Sequence, residues 1–490
     1  MLFNSFEFFI FFPIVVLLYF VIPKKARLYW LLIASYYFYM CWDRTYALLI
    51  LTSTLITWGS GLLLARHKRK WVVALSFIIN LGILFVFKYF NFTVDNLNLI
   101  LTKAGGREIS ASLQLLLPVG ISFYTFQALS YTVDVYRGDV EAEHNPFRYA
   151  LFVSFFPQLV AGPIERSGHL LSQLQEMDQK RLYDWKRIKK GLILMLWGMF
   201  LKVVVADRLA RYVDMVFNSF EAYGTVELVV AAIFFTFQIY CDFHSYSTIA
   251  IGAAEVMGFD IMDNFTAPYL ATGIKDFWRR WHISLSLWFR DYLYIPLGGN
   301  RKGKLRKYFN IMVVFLTSGL WHGADWTYVI WGGLHGLYQI IGEILMPVRK
   351  FVRKLIGVRE DSFGFALYQR IWTFALVVFA FIFFRADNIW QAGGYIKRML
   401  TQFNPWVLVN GGLYTDTFPI SEFRILLVSL VLLLLVDLLW VCRKKRIDAF
   451  VEEQGPIFTA VLVIFLVSML FVFGMYGPAY DAQAFIYFQF

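Results

Sequence analysis

The chain has 490 residues, of which 59% are hydrophobic, 19% aromatic and 16% charged, and this balance excludes a soluble globular domain in favour of a polytopic membrane protein. The net charge of +12 is read as loop charge that orients membrane segments and not as a nucleic-acid footprint. Cys41, Cys241 and Cys442 stand in or beside apolar stretches without metal-ligand spacing, which argues against a disulfide framework and against a metal site.

Residues 1–22 carry no basic start and no small-residue cleavage site, so the apolar stretch 6–22 is read as a first membrane segment and not as a cleaved signal. Apolar stretches of spanning or near-spanning length follow at 28–42, 46–64, 71–90, 113–133, 192–206, 227–250, 309–321, 326–345, 366–384, 424–441 and 457–475. Residues 149–160 and 277–297 are too short or too mixed to cross and are expected as re-entrant or interfacial pieces. Pro118, Pro157, Pro163 and Pro296, with Gly162, Gly298 and Gly299, interrupt the apolar pattern. Broken backbone at membrane depth survives only inside protein or beside a water-filled cavity, so the middle of the chain is expected to line one. No internal repeat of the transporter kind is visible.

Lys and Arg collect at 24–27, 66–70, 186–190, 301–307, 349–354 and 443–446, and the positive-inside rule assigns these loops to the cytoplasm. Both termini are then expected on the extracytoplasmic face.

His322 stands inside the apolar stretch 309–336, in Gly319-Leu320-Trp321-His322-Gly323. It follows Lys307 by fifteen residues, roughly 22 Å of helix, which sets the imidazole near or beyond the middle of the bilayer. An ionisable group at that depth usually faces a bundle interior or a wet cavity, and imidazole both takes and gives a proton near neutral pH. The structural alternative is a histidine that hydrogen-bonds a neighbouring helix.

Residues 260–303 are dense in Trp, Tyr and Arg, a mixture that marks a membrane interface and accounts for Trp278, Arg279 and Trp288. His282 lies forty residues before His322 across a basic loop, and the pair suggests a shared site. In Pro296-Leu297-Gly298-Gly299-Asn300 the glycines would let backbone amides approach an anion, with Arg301 and Lys302 beside them.

These segments together resemble the membrane-bound O-acyltransferase (MBOAT) superfamily, in particular its bacterial alginate O-acetyltransferase-like branch. The resemblance is carried by Met1-Leu2-Phe3-Asn4-Ser5, Leu117-Pro118-Val119-Gly120-Ile121-Ser122-Phe123-Tyr124, Phe156-Pro157-Gln158-Leu159-Val160-Ala161-Gly162-Pro163-Ile164, residues 277–300, Leu320-Trp321-His322-Gly323 and Phe383-Phe384-Arg385-Ala386. It implies an all-α polytopic fold over residues 1–490, with its core at 113–345, of about eleven or more membrane segments plus re-entrant and interfacial helices around a central funnel or tunnel. It implies that His322 matches the family's central catalytic histidine and His282 its second, on the intracellular side of the tunnel. The function it implies is transfer of acetyl from acetyl-CoA across the bacterial cytoplasmic membrane to a cell-envelope polysaccharide, with acetyl-CoA a substrate and no permanently bound cofactor. Arg301, Lys302, Lys304 and Arg306 are candidate contacts for the CoA phosphates, although each also serves as a positive-inside anchor.

The resemblance also implies an extracytoplasmic SGNH-type partner, because the chain carries no Gly-Asp-Ser nucleophile motif of its own. A sister branch moves D-alanine from a carrier protein to teichoic acid and is the first alternative; a transporter or a scaffold of a polysaccharide machine is the second. The tail 477–490 closes on Phe485-Ile486-Tyr487-Phe488-Gln489-Phe490. It resembles a C-terminal motif of this family or its accessory protein in which tyrosine is proposed to carry the acyl group, so Tyr487 is a candidate relay; an interfacial aromatic anchor is the alternative.

Overall fold

A computed structural model describes residues 1–113, 115–160 and 162–476, so Tyr487 and the rest of the tail 477–490 lie outside the described residues. The described residues form helices and no strand, as an all-α polytopic chain requires. Among the described residues, six helices are long and apolar enough to cross a membrane: Ala47–Arg66, Lys70–Lys103, Thr225–Met257, Phe363–Arg385, Ile420–Arg443 and Pro456–Phe473. Phe6–Val21 is apolar but has 16 residues. The described residues divide into two compact units, one of Met1–Met195 with Tyr246–Met262, the other of Leu196–Ser245 with residues 263–476.

In the first unit, Ser5 caps Phe6–Val21 by accepting the Phe8 amide hydrogen. Ala47–Arg66 packs closely on Ile121–Arg137, where a Cβ at Gly61 would lie 2.6 Å from the Tyr131 ring. Buried hydroxyls there return hydrogens to their own helix or cross to the next: Thr57 donates to the Ser53 carbonyl, Ser53 to Asn80 at 2.6 Å, and Tyr149 to Thr57 at 2.8 Å. The stretch 113–133 departs from expectation, because helix begins only at Ile121. Gly120 before it sits at φ 74°, and a Cβ there would lie 2.4 Å from the Leu159 carbonyl oxygen, so the turn accepts only glycine.

In the second unit, buried ions are paired. Lys202 lies 2.9 Å from Asp207 and 2.6 Å from Asp242. Arg208 binds Glu422 at 2.6 Å and donates to the carbonyls of Val204 and Phe473, tying Ile420–Arg443 and Pro456–Phe473 to one anchor. The region 277–297 breaks into Ile274–Arg280, Ile283–Phe289 and a π-helical turn Arg290–Tyr294, in keeping with a non-spanning piece.

Candidate active site

Gly303–His322 and Trp326–Ile344 form a hairpin, and small residues set how closely they pack. A Cβ at Gly319 would lie 2.3 Å from the Tyr328 carbonyl oxygen and one at Gly332 2.2 Å from that of Phe315, so neither position holds a side chain. Between the helices the Asp325 carboxylate caps the second by accepting the Thr327 amide hydrogen at 2.8 Å. His322 is therefore the last helical residue before a tight connection, and it is buried.

Nδ1 of His322 lies 2.7 Å from the Ser318 carbonyl oxygen, one turn back. A carbonyl only accepts, so Nδ1 carries the hydrogen and Nε2 holds the lone pair of the neutral ring. Trp321 and Trp331 stand edge-on with ring centres 4.9 Å from the imidazole, and Phe384 follows at 5.6 Å. Phe384, from the segment 383–386 singled out in the sequence, thus contributes one wall of this cage.

His282 is fully buried, with its ring centre 6.3 Å from that of His322; the structure brings the two histidines together. Its backbone is left-handed, φ 42°, a conformation unfavourable for a side chain with a Cβ. Asn264 braces that turn: its carbonyl accepts from the Ile283 amide, and its side-chain oxygen from the Ser284 amide and, at 2.6 Å, the Ser284 hydroxyl.

A cavity of about 720 Å³ opens beside the site, within the size range of small-molecule pockets. Its lining includes Ser318, on whose carbonyl His322 is hinged, the rings of Trp278, Phe315 and Tyr338, and the cations Lys275, Arg290, Lys307 and Arg349. Asp291 holds Arg290 by a hydrogen bond at 2.7 Å, which raises the guanidinium pKa above its ordinary value. Lys307 pairs with Glu343.

Of the expected phosphate contacts, Arg301, Lys302, Lys304 and Arg306 are all exposed, and none is among the residues lining this cavity. Arg306 instead donates to the Leu297 carbonyl and lies over the Phe309 ring. Gly298 and Gly299 adopt φ of 107° and 53°, and Asn310 fastens the loop by donating to the Gly299 carbonyl at 3.0 Å. Sequence reasoning missed Asn264, Arg290, Lys307 and Arg349, and it missed a third buried histidine, His335, that shares the cage. The signal for His335 was available, since it stands in the apolar stretch 326–345 as His322 stands in its own.

Comparison with known proteins shows the family of the chain. The profile of MBOAT, the membrane-bound O-acyltransferase family, matches residues 18–384. The probable alginate O-acetylase AlgI of Pseudomonas aeruginosa is 39% identical over 83% of this chain and 76% of its own length. The peptidoglycan O-acetyltransferase of Helicobacter pylori is 34% identical over 82% of this chain and 80% of its own. The teichoic acid D-alanyltransferase of Streptococcus thermophilus is 27% identical over 58% of this chain and 69% of its own.

Proposed function

The chain belongs to the membrane-bound O-acyltransferase family, and from that premise we propose that it takes acetyl from cytoplasmic acetyl-CoA and delivers it outside the membrane for O-acetylation of a cell-envelope polysaccharide. It is an acyltransferase and a multi-pass membrane protein. The single observation that carries the chemical reading is the hydrogen bond from His322 Nδ1 to Ser318, which leaves Nε2 as the basic nitrogen in a buried cage.

In this reading the donor's pantetheine arm enters the cavity lined by Trp278, Phe315 and Ser318, and Lys275, Arg290, Lys307 and Arg349 receive its phosphates. An acceptor hydroxyl attacks the thioester carbonyl while His322 Nε2 takes its proton. The new C–O bond forms, the C–S bond breaks, and the same proton passes to the departing thiolate. Net charge is unchanged, so the step suits a site closed to water. His282 lies beside His322 to orient the reacting carbonyl. The acceptor side calls for an extracytoplasmic SGNH-type partner, with Tyr487 as the intermediate carrier, the basic loops on the cytoplasmic face of a bacterial cytoplasmic membrane and both termini outside.

The acetyl reading is preferred to D-alanyl transfer because both O-acetylating relatives are more similar over more of the chain. Purified protein supplied in parallel with acetyl-CoA and with D-alanyl carrier protein tests it: transfer from acetyl-CoA alone is expected, and transfer from the carrier protein alone would replace this reading with the other.

A further inference from the structure

His335 is fully buried on Trp326–Ile344, and its Nδ1 receives the indole hydrogen of Trp278 at 3.2 Å. Indole only donates, so Nδ1 is the unprotonated nitrogen of this ring. The imidazole is packed between aromatic rings, with Trp278 at 5.1 Å and Trp331 at 5.2 Å, both edge-on, and Phe277 nearly parallel at 6.0 Å. Two of its neighbours face the candidate chemistry from different sides. Trp278 lines the cavity that reaches Ser318, and Trp331 stands 4.9 Å from His322.

We propose that His335 is a positioning and specificity-determining residue of the acyl site, which holds Trp278 as the wall that admits a short acyl group beside His322. The inference rests on the acyl-transfer reading above and deepens it by naming what limits the acyl group. Without an acceptor at His335 the buried indole hydrogen of Trp278 is left unpaired, which is costly in a site closed to water. The indole then leaves its place, and the wall that it forms recedes. Space opens where additional methylenes of a longer acyl chain would lie, and pocket discrimination per methylene is on the order of tenfold or more.

The test compares transfer from acetyl-CoA and from butyryl-CoA by the full-length protein in membranes containing its acceptor. The acetyl-to-butyryl ratio of kcat/KM is independent of how much protein is folded. His335→Phe keeps the ring and removes the acceptor, and the ratio is expected to fall about tenfold. His335→Gln offers an amide oxygen in its place and is expected to retain most of the preference. Trp278→Phe removes the donor, so its ratio should fall too and should not fall further when combined with His335→Phe. An unchanged ratio in His335→Phe overturns the proposal, as does an equal loss in His335→Gln. Should His335→Phe fail to accumulate, Trp278→Phe carries the decision, and an unchanged ratio there overturns it. Wild-type protein that transfers neither acyl group overturns the acyl-transfer reading itself, whereas active wild type with unchanged variants overturns this inference alone.

Discussion

His322 donates from Nδ1 to the carbonyl of Ser318 at 2.7 Å, within a single turn of one helix. The bond fixes the tautomer by local geometry, so the orientation of the base does not depend on any substrate. His322→Gln retains a donor for that carbonyl and keeps a polar side chain of similar length, but has no basic nitrogen. It is expected to lower acyl transfer by about 10²–10⁴-fold, the usual weight of a general base, while expression and thermal stability in detergent stay near wild type. Wild-type transfer rates in well-folded His322→Gln would remove the residue from the chemistry.

His282 combines a backbone demand with an imidazole. Its left-handed φ of 42° is one that asparagine tolerates and alanine does not. His282→Asn therefore isolates the ring, and His282→Ala adds about 1 kcal/mol of backbone strain. Both variants are expected to lose turnover alike, while only His282→Ala unfolds at a lower temperature. Full turnover in His282→Asn would leave the residue a structural role alone.

The cations at the cavity give a prediction in which two sets of residues compete. Arg349 lines the cavity, while Lys304 is exposed on the basic run and does not. Arg349→Gln should raise the KM for acetyl-CoA about tenfold through loss of one charge-assisted phosphate contact, with kcat little changed. Lys304→Gln should leave both constants alone. The reverse pattern would return the phosphate contacts to the run 301–306.

What could be read from the sequence follows from where each signal is stored. His322 was visible because a titratable residue in an apolar run has few uses, and the stretch 309–321 became the helix Gly303–His322. Its approach to His282 is tertiary, yet spacing across one basic loop was enough to suggest it. The cations are harder to read for the opposite reason: adjacent basic residues look equivalent in sequence, whereas the helix carries Lys307 to the cavity and leaves Lys304 exposed, and Arg349 arrives from beyond the next helix. Composition also hid the break before Ile121, because the residues of 113–120 are as apolar as a helix while Pro118 and the left-handed Gly120 prevent one. The Lys202, Asp207 and Asp242 cluster joins two distant segments, and no local pattern announces it.

In the first unit His169 gives a pH prediction. Its Nδ1 lies 2.8 Å from Glu165, and Nε2 lies 3.5 Å from Asp260. The hydrogen bond to Glu165 is the main cause that raises the His169 pKa above its ordinary value. A raised pKa in the folded state means that the ion pair stabilises fully below the unfolded value of about 6.5 and that the contribution is lost as pH rises through the folded value. The histidine is partly exposed, so the contribution is about 0.5 kcal/mol. His169→Gln should therefore lower the unfolding temperature at pH 5.5 and have little effect at pH 9. Equal destabilisation at both pH values would show that charge on His169 is not what the contact uses.

The last prediction concerns Tyr487, beyond the final described residue Tyr476. The chain leading to it is held firmly: Arg208 donates to the Phe473 carbonyl at 2.9 Å, and the Met475 amide donates to the Val203 carbonyl at 2.9 Å. Tyr487 follows Tyr476 by eleven positions, a tether of at most about 40 Å when extended, against a hydrocarbon core of about 30 Å. That length is enough for a phenol to be offered at mid-membrane from an anchored start. A phenol, with a pKa near 10, forms an ester whose aryloxide leaves more readily than an alkoxide, so acyl-Tyr487 would be made from the thioester with loss of the thiol and then consumed by a partner serine. Tyr487→Phe keeps the ring and its apolar contacts while removing the hydroxyl. Loss of polymer acetylation with normal expression and partner binding is expected, together with an acyl adduct on Tyr487 in wild-type protein detected by peptide mass spectrometry. Full acetylation by Tyr487→Phe would refute the relay and leave the tail as an aromatic anchor.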